Sequence, residues 1–436
     1  MKRNEIELLE EQLDSFGAEE RSTALSWLQS HAKEGSIAMS ESKGIVNQHA
    51  HTFYSYNAYG YSPSKFAWLA KQDGLDLGGI VDFDVLDGVD EFLAAAEQVG
   101  LKGCAGMETR VFIPEFAGEE INSPGEPGVA YHLGLGFTST DVSESHRAFY
   151  ASLKDSAQQR NEGLIQRVND FLSPVELDIE KDLLPLAPAG NATERHICLA
   201  YARKAATVFS DPAERAAFWS EKLDTPAEAL GLPEGRELQN TIRAKTMKSG
   251  GVGYVQPDSG SFPKLQDFNN FVLACGAVPT LAWLNGLTQA ESHMEDLLAV
   301  HLDAGAAMIN LVPDRNFTEG VKDEKLENLY AVIELAQKHN LPVIAGTEMN
   351  SPGNLFVDDF DSEELKPLLP VFMEGGYILY AHSALQRACG KGYLSEWAKK
   401  TFADTKTKNE FFAKAGRTLR SGATAEEIES MLKGVE

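Results

Sequence analysis

From Gly44 onward, eight short apolar runs, each stopping at a polar cluster, alternate with mostly helical stretches. They are GIVNQHAH (44–51), LGGIVDFD (77–84), KGCAGMETR (102–110), VAYHLGLGF (129–137), AVPTLAWLNG (277–286), AAMINLVPDRN (306–316), LPVIAGTEMN (341–350) and GGYILYAHS (375–383). No other feature constrains the fold as tightly. Continuous apolar runs suit strands covered on both faces, and helices between successive strands make the sheet parallel. The polar clusters sit at the carboxyl ends of the runs, where a closed α/β barrel builds its site. The expected fold is therefore α/β, a TIM-like barrel, with a doubly wound sheet as the structural alternative.

Two segments fall outside this rhythm. Residues 1 to about 40 read as two helices, the first with Ile6, Leu8, Leu9 and Leu13 and the second with Ala24, Leu25 and Leu28 at helical spacing. Between the fourth and fifth runs the chain carries helix starts instead: Asn191 with Glu194, Asp211-Pro212 with Glu214, and Thr225-Pro226 with Glu228. A last helix is expected after Thr424, with Glu427 three residues on. The expected organisation is an N-terminal helical extension (1–43), a first barrel part (44–140), a helical insertion (141–261), and a second barrel part with C-terminal helices (262–436).

Charge narrows the function classes. With 39 Lys plus Arg against 65 Asp plus Glu, the net charge is −26, so the surface repels a polyanion and a nucleic acid partner is not expected. No run approaches the ~20 apolar residues that span a bilayer, so no membrane association is expected either. The four cysteines are far apart and form no CxxC pair, which suggests neither a thiolate zinc site nor a disulfide framework and reads as four buried thiols of a cytoplasmic protein.

The histidines carry the chemistry. Of ten, five (His31, His146, His293, His301, His339) fall in amphipathic stretches among charges and read as solvated. The others are His49, His51, His132, His196 and His382, four of them near the ends of strand candidates. His49 and His51 are two apart on a strand, so both imidazoles point to one side, an arrangement that suits Zn, Mn or Fe(II). Asp82, Glu108 and Glu348 also end strand candidates; carboxylates gathered in a closed site call for cations. The alternative for Glu108 or Glu348 is an arginine partner such as Arg110.

The stretch 47–111 followed by YHLGLGF (131–137) resembles the start of a PHP (polymerase and histidinol phosphatase) domain. The resemblance is close over residues 44–140 and looser beyond 262. It implies a distorted seven-stranded barrel holding up to three metal ions that activate water for phosphoester hydrolysis. His49, His51, Glu108 and His132 stand at ligand positions, and Glu348 in GTEMN replaces an aspartate. Phe83, Trp283 and Asn350 stand where the family has ligands, and Tyr56 where many members have Asp or His. One or two divalent ions are therefore expected, with His132 and His382 serving a second; His382 rests only on its position at a strand end.

In the insertion, NATERHICLAYARK (191–204) resembles a helix of the phosphoesterase branch, which makes Arg195 and His196 a phosphate grip. The alternative is a surface Arg195 paired with Glu194. PDRN (313–316) either offers Asp314, Arg315 and Asn316 to the substrate or is an ordinary turn. The expectation is a metal-dependent phosphoesterase acting on a small phosphorylated substrate, with Asp82 orienting a ligand or taking a proton. The alternatives are a non-catalytic, degenerate barrel that binds a ligand or partner, and a metal hydrolase acting on another bond.

Overall fold

A computed structural model describes residues 3–433. Seven of the eight runs are strands: β1 (Val46–Ala50), β2 (Leu77–Phe83), β3 (Lys102–Phe112), β4 (Val129–Phe137), β5 (Val278–Trp283), β6 (Met308–Leu311) and β7 (Val343–Ala345). They form one sheet in chain order. A parallel bridge from Ala50 to Glu348 brings the two edges together, so the sheet is nearly closed into a distorted barrel. The sheet is not wholly parallel: β4 runs against both β3 and β5.

The eighth run, GGYILYAHS, is no strand. It lies inside the helix Leu369–Cys389, where Gly375 through Ser383 are almost all buried. A helix buried all round is a continuous apolar run, which periodicity cannot tell from a covered strand. Its neighbours explain the burial. A Cβ at Gly375 would lie 2.0 Å from the Val343 carbonyl oxygen, one at Gly376 2.8 Å from Leu77, and His382 bonds the carbonyl of Gly136. Val343 and Leu77 begin parallel strands and Gly136 ends the reversed one, so this helix plugs the amino end of the barrel. The carboxyl end is left for a site.

The segment after β4 folds over that open end. The helix Glu144–Leu172 contributes Leu153 to the barrel core and Leu164, Ile165, Val168 and Leu172 to a second apolar core. Ile197, Tyr201, Trp219 and Ile242 complete that second core. Pro212 opens a helix capped by Asp211, as expected, whereas the signal at Thr225-Pro226 gives only a three-residue turn, Ala227–Ala229. The cap at 191–194 is displaced. Thr193 caps the helix Glu194–Val208, and Asn191 instead donates to the carbonyls of Phe83 (2.7 Å) and Tyr54 (3.2 Å), pinning the insertion to the barrel mouth.

The N-terminal helices (Arg3–Gln12 and Ala18–Lys33) and the capping box of Thr424 and Glu427 form as read. Of the cysteines, Cys104 and Cys198 are buried, Cys275 is partly covered and Cys389 is exposed, so the expectation of four buried thiols holds for two. No helix among the described residues is long and apolar enough to cross a membrane.

Candidate metal centre

His49 and Glu108 project into the barrel from β1 and β3, and His51 follows directly after β1. All three are buried, and one ligand atom from each lies within 4.8 Å of the other two. Glu108 Oε2 is 3.6 Å from His49 Nε2 and 3.3 Å from His51 Nε2. None of these atoms has a hydrogen-bond partner. Buried polar atoms are almost always paired, so three orphans converging on one point call for a missing group.

The surrounding hydrogen bonds fix what that group is. Asn310 uses its amide nitrogen on the Leu311 carbonyl, so its Oδ1, 2.8 Å from His49 Nδ1, accepts. Ser55 donates to Asp82 (2.6 Å), so its oxygen accepts from His51 Nδ1 at 2.9 Å. Each imidazole thus carries its proton on Nδ1 and turns a bare Nε2 lone pair toward a carboxylate oxygen. Acceptors facing acceptors need a cation between them, and a His2Glu set with bare nitrogens fits Zn, Mn or Fe(II). Without an ion, a proton takes that place. Burial opposes ionisation of Glu108, but the two histidines outweigh it and hold the carboxyl down at about 2. Burial also opposes protonation of His49, and Glu108 outweighs that, raising its pKa, so an ion that binds here displaces a proton.

Asp82 lies one bond further out. Its oxygens accept from Thr52 N (2.8 Å), Thr52 Oγ1 (2.7 Å) and Ser55 Oγ, so it orients His51 through Ser55 and has no free oxygen directed at the triad. Phe83 is in register with Glu108, and its ring lies 4.4 Å from that of His51, filling space beside the triad. Glu348 is drawn close by its backbone: its N–H donates to the His49 carbonyl and its carbonyl accepts from His51 N–H, both at 2.7 Å. This requires left-handed φ angles of 61° and 56° at Glu348 and Met349, and a bare Gly346, whose Cβ would lie 2.3 Å from His49 N. The Glu348 side chain is ion-paired with Arg315.

Three expected residues lie elsewhere. His132 is in register with Thr109, the neighbour of Glu108, so it points to the opposite face of the sheet. There its Nε2 bonds Asn269 (2.7 Å) and its ring packs on Phe268 and His301. His301, read as solvated, is itself buried. His382 sits in the plugging helix at the other end of the barrel, and its Nδ1 accepts from Tyr393 N at 3.0 Å. His196 accepts from Thr193 N (3.1 Å) as part of a capping box, and burial lowers it to about 3, so it is a neutral cap rather than a phosphate ligand.

Arg195 is better placed. Glu194 is taken by Arg243 (2.7 Å) and Lys248 (2.8 Å), and Arg195 bonds the neutral Asn240 (2.7 Å) and Ser351 (3.0 Å), the latter in the loop after Glu348. Among the described residues it is thus a cation at the barrel mouth without a carboxylate partner. Sequence reading missed Ser55 and Asn310, which set the two tautomers. The one available signal was Asn310 itself, a lone amide within the apolar run MINL.

No family model and no curated protein matches the chain. Among solved structures it is similar to an amidohydrolase from Chromobacterium violaceum with bound sulfate and no metal, at 18% identity and a TM-score of 0.47 over 71% of this chain and 88% of that one. It is also similar to a candidate metal-dependent phosphoesterase from Bifidobacterium adolescentis, at 16% identity and a TM-score of 0.48 over 75% of this chain and 96% of that one. Both likenesses are distant, and neither carries a function to this chain.

Proposed function

We propose that this chain is a metal-dependent hydrolase of PHP type that cleaves a small phosphate ester. The carrying observation is the convergence of the bare Nε2 atoms of His49 and His51 on the unpartnered Oε2 of buried Glu108. These residues would hold one divalent ion. Such an ion, when bound, lowers the pKa of a coordinated water and polarises a phosphoryl oxygen. The protein's own groups do the rest: Asn310 and Ser55 lock the ligand tautomers, Asp82 anchors Ser55, and Arg195 receives the substrate's anionic group. The net reaction joins water oxygen to phosphorus, breaks the ester P–O bond and yields an alcohol and phosphate.

Phosphate is favoured over a neutral substrate by Arg195, because a mostly covered guanidinium without a carboxylate partner suits an anionic ligand. The test is metal analysis of purified protein together with hydrolysis of p-nitrophenyl phosphate and sugar phosphates after addition of Zn, Mn or Fe(II). One bound ion and metal-stimulated phosphate release are expected. Absence of metal above background, with no gain on adding these ions, rejects the reading. In an active protein, Arg195→Ala separates the bonds: a rise in KM of about tenfold or more supports phosphate, whereas no change points to a neutral substrate.

A further inference from the structure

Glu348 would be a natural further ligand for the triad, but Arg315 already occupies its carboxylate. Arg315 comes from the turn Pro313–Phe317 after β6, the strand that also supplies Asn310. Its Nη2 pairs with Glu348 Oε2. Among the described residues, its Nε and Nη1 have no hydrogen-bond partner. The two side chains are unequally covered. Glu348 is 5% exposed, whereas Arg315 is 41% exposed and opens toward the mouth. The pair thus buries its carboxylate and leaves the arginine side chain partly open at the carboxyl end of β6.

Two-ion hydrolases use one ion to activate water and another to neutralise the charge on the phosphoryl oxygens. Here the space beside His51 holds the ring of Phe83, and the buried Trp283 ends β5. The positive charge next to the triad is instead a guanidinium, fixed on the chain. We infer that Arg315 stands in for the second ion of a one-ion centre: its Nη2 holds the Glu348 carboxylate that a second ion would need, and its unpaired Nη1 offers one hydrogen bond to an anionic oxygen of the substrate's phosphoryl group. A guanidinium can hold the carboxylate with one nitrogen and reach the substrate with another, which the single nitrogen of an ammonium does less well. This inference rests on the phosphoesterase reading for its substrate, but its statement about charge and ion number stands apart from it.

Manganese titrated into metal-free full-length protein, followed by calorimetry and by metal content after gel filtration, reads the ion number directly. Wild-type protein is expected to bind one ion per chain. Arg315→Ala frees the Glu348 carboxylate and is expected to bind two at raised manganese. At manganese just sufficient for the first ion, its kcat toward p-nitrophenyl phosphate is expected to fall about a hundredfold, and that of Arg315→Lys about tenfold with one ion retained. Two ions in wild-type protein, or a single ion and unchanged kcat in Arg315→Ala, overturn the inference. If Arg315→Ala does not fold, Glu348→Gln decides: one ion bound as tightly as in wild type supports it, and loss of that ion overturns it by making Glu348 a ligand. Wild-type protein that behaves so in binding yet cleaves no phosphoester rejects the phosphoesterase reading and leaves the charge assignment standing; an active two-ion enzyme does the reverse.

Discussion

Two pairs of buried histidines lie at almost the same spacing in different parts of this barrel. The rings of His49 and His51 are 5.3 Å apart, and those of His132 and His301 are 5.2 Å apart. Their chemistry is opposite. The first pair faces a buried carboxylate, with each Nδ1 held by a neighbour and each Nε2 bare. The second pair has no carboxylate: burial first, and then the neighbouring His301, hold His132 well below the ordinary histidine value, and its Nε2 is taken by Asn269. A buried histidine is therefore made a ligand by the carboxylate on its face and by which nitrogen its neighbour holds: in His132 the unpartnered atom is Nδ1, and no carboxylate meets it. A shift of one residue along the strand is enough to exchange the two fates.

The largest expected effect breaks the first pair's reason to exist. Glu108→Ala removes the carboxylate that both imidazoles face, and metal content should fall to background while the fold persists. Phosphoesterase activity should drop at least about a thousandfold, equivalent to ~4 kcal/mol of transition-state stabilisation. Metal analysis beside kcat/KM is the measurement. Retention of one ion per chain would show that the triad is not the metal's seat.

The same truncation on the other face should do the converse. His132→Ala leaves a void beneath Phe268 and His301 and deprives Asn269 of its partner. Stability should fall by about 3 kcal/mol, read as a lower urea midpoint, with metal content unchanged. A loss of metal without loss of stability would place His132 back among the ligands.

What the sequence revealed follows from this division. The alternation of apolar runs and helices exposed the barrel, because a repeated local pattern needs no knowledge of contacts. HxH exposed His49 and His51, because period 2 is a local property, and the run KGCAGMETR placed Glu108 near the end of its strand. The direction of β4 was not legible, since the length of the connection between β3 and β4 permits either sense, and neither was its register against β3, which sets the face of His132. The plugging helix was illegible for a different reason: it is apolar on every side, so His382 seemed to end a strand. Arg195 was separable from His196 only by seeing that Thr193 already claims the imidazole.

Acid should distinguish the pairs next. Burial lowers His301 to about 4 from the ordinary 6.5, and His132 lies well below that same value. The unfolded chain therefore binds more protons than the folded one below about pH 6.5, so stability falls as pH drops through that value and keeps falling to about 4. At pH 5 the loss should be on the order of 2 kcal/mol per histidine. Urea denaturation of metal-free protein at pH 7, 6 and 5 measures it. A double replacement, His132→Phe with His301→Leu, should remove about half of the slope over this window, His196 and His382 supplying the rest, and an unchanged slope would assign the acid sensitivity to other groups.

The smallest effect tests the relay that makes His51 a ligand. Asp82 reaches the triad only through Ser55, whose hydroxyl donates to the carboxylate and accepts from His51 Nδ1. Ser55→Ala leaves all three ligands in place but frees His51 to protonate Nε2 or to rotate. Metal affinity should weaken about tenfold to a hundredfold, with little change in the urea midpoint of the metal-free protein. The Nδ1 proton resonance of His51, protected in the wild type by its bond to Ser55, should broaden or disappear. Equal affinity in Ser55→Ala and wild type would mean that the strand alone fixes the imidazole. The contrast between the two histidine pairs would then reduce to the presence of Glu108 on one face and its absence from the other.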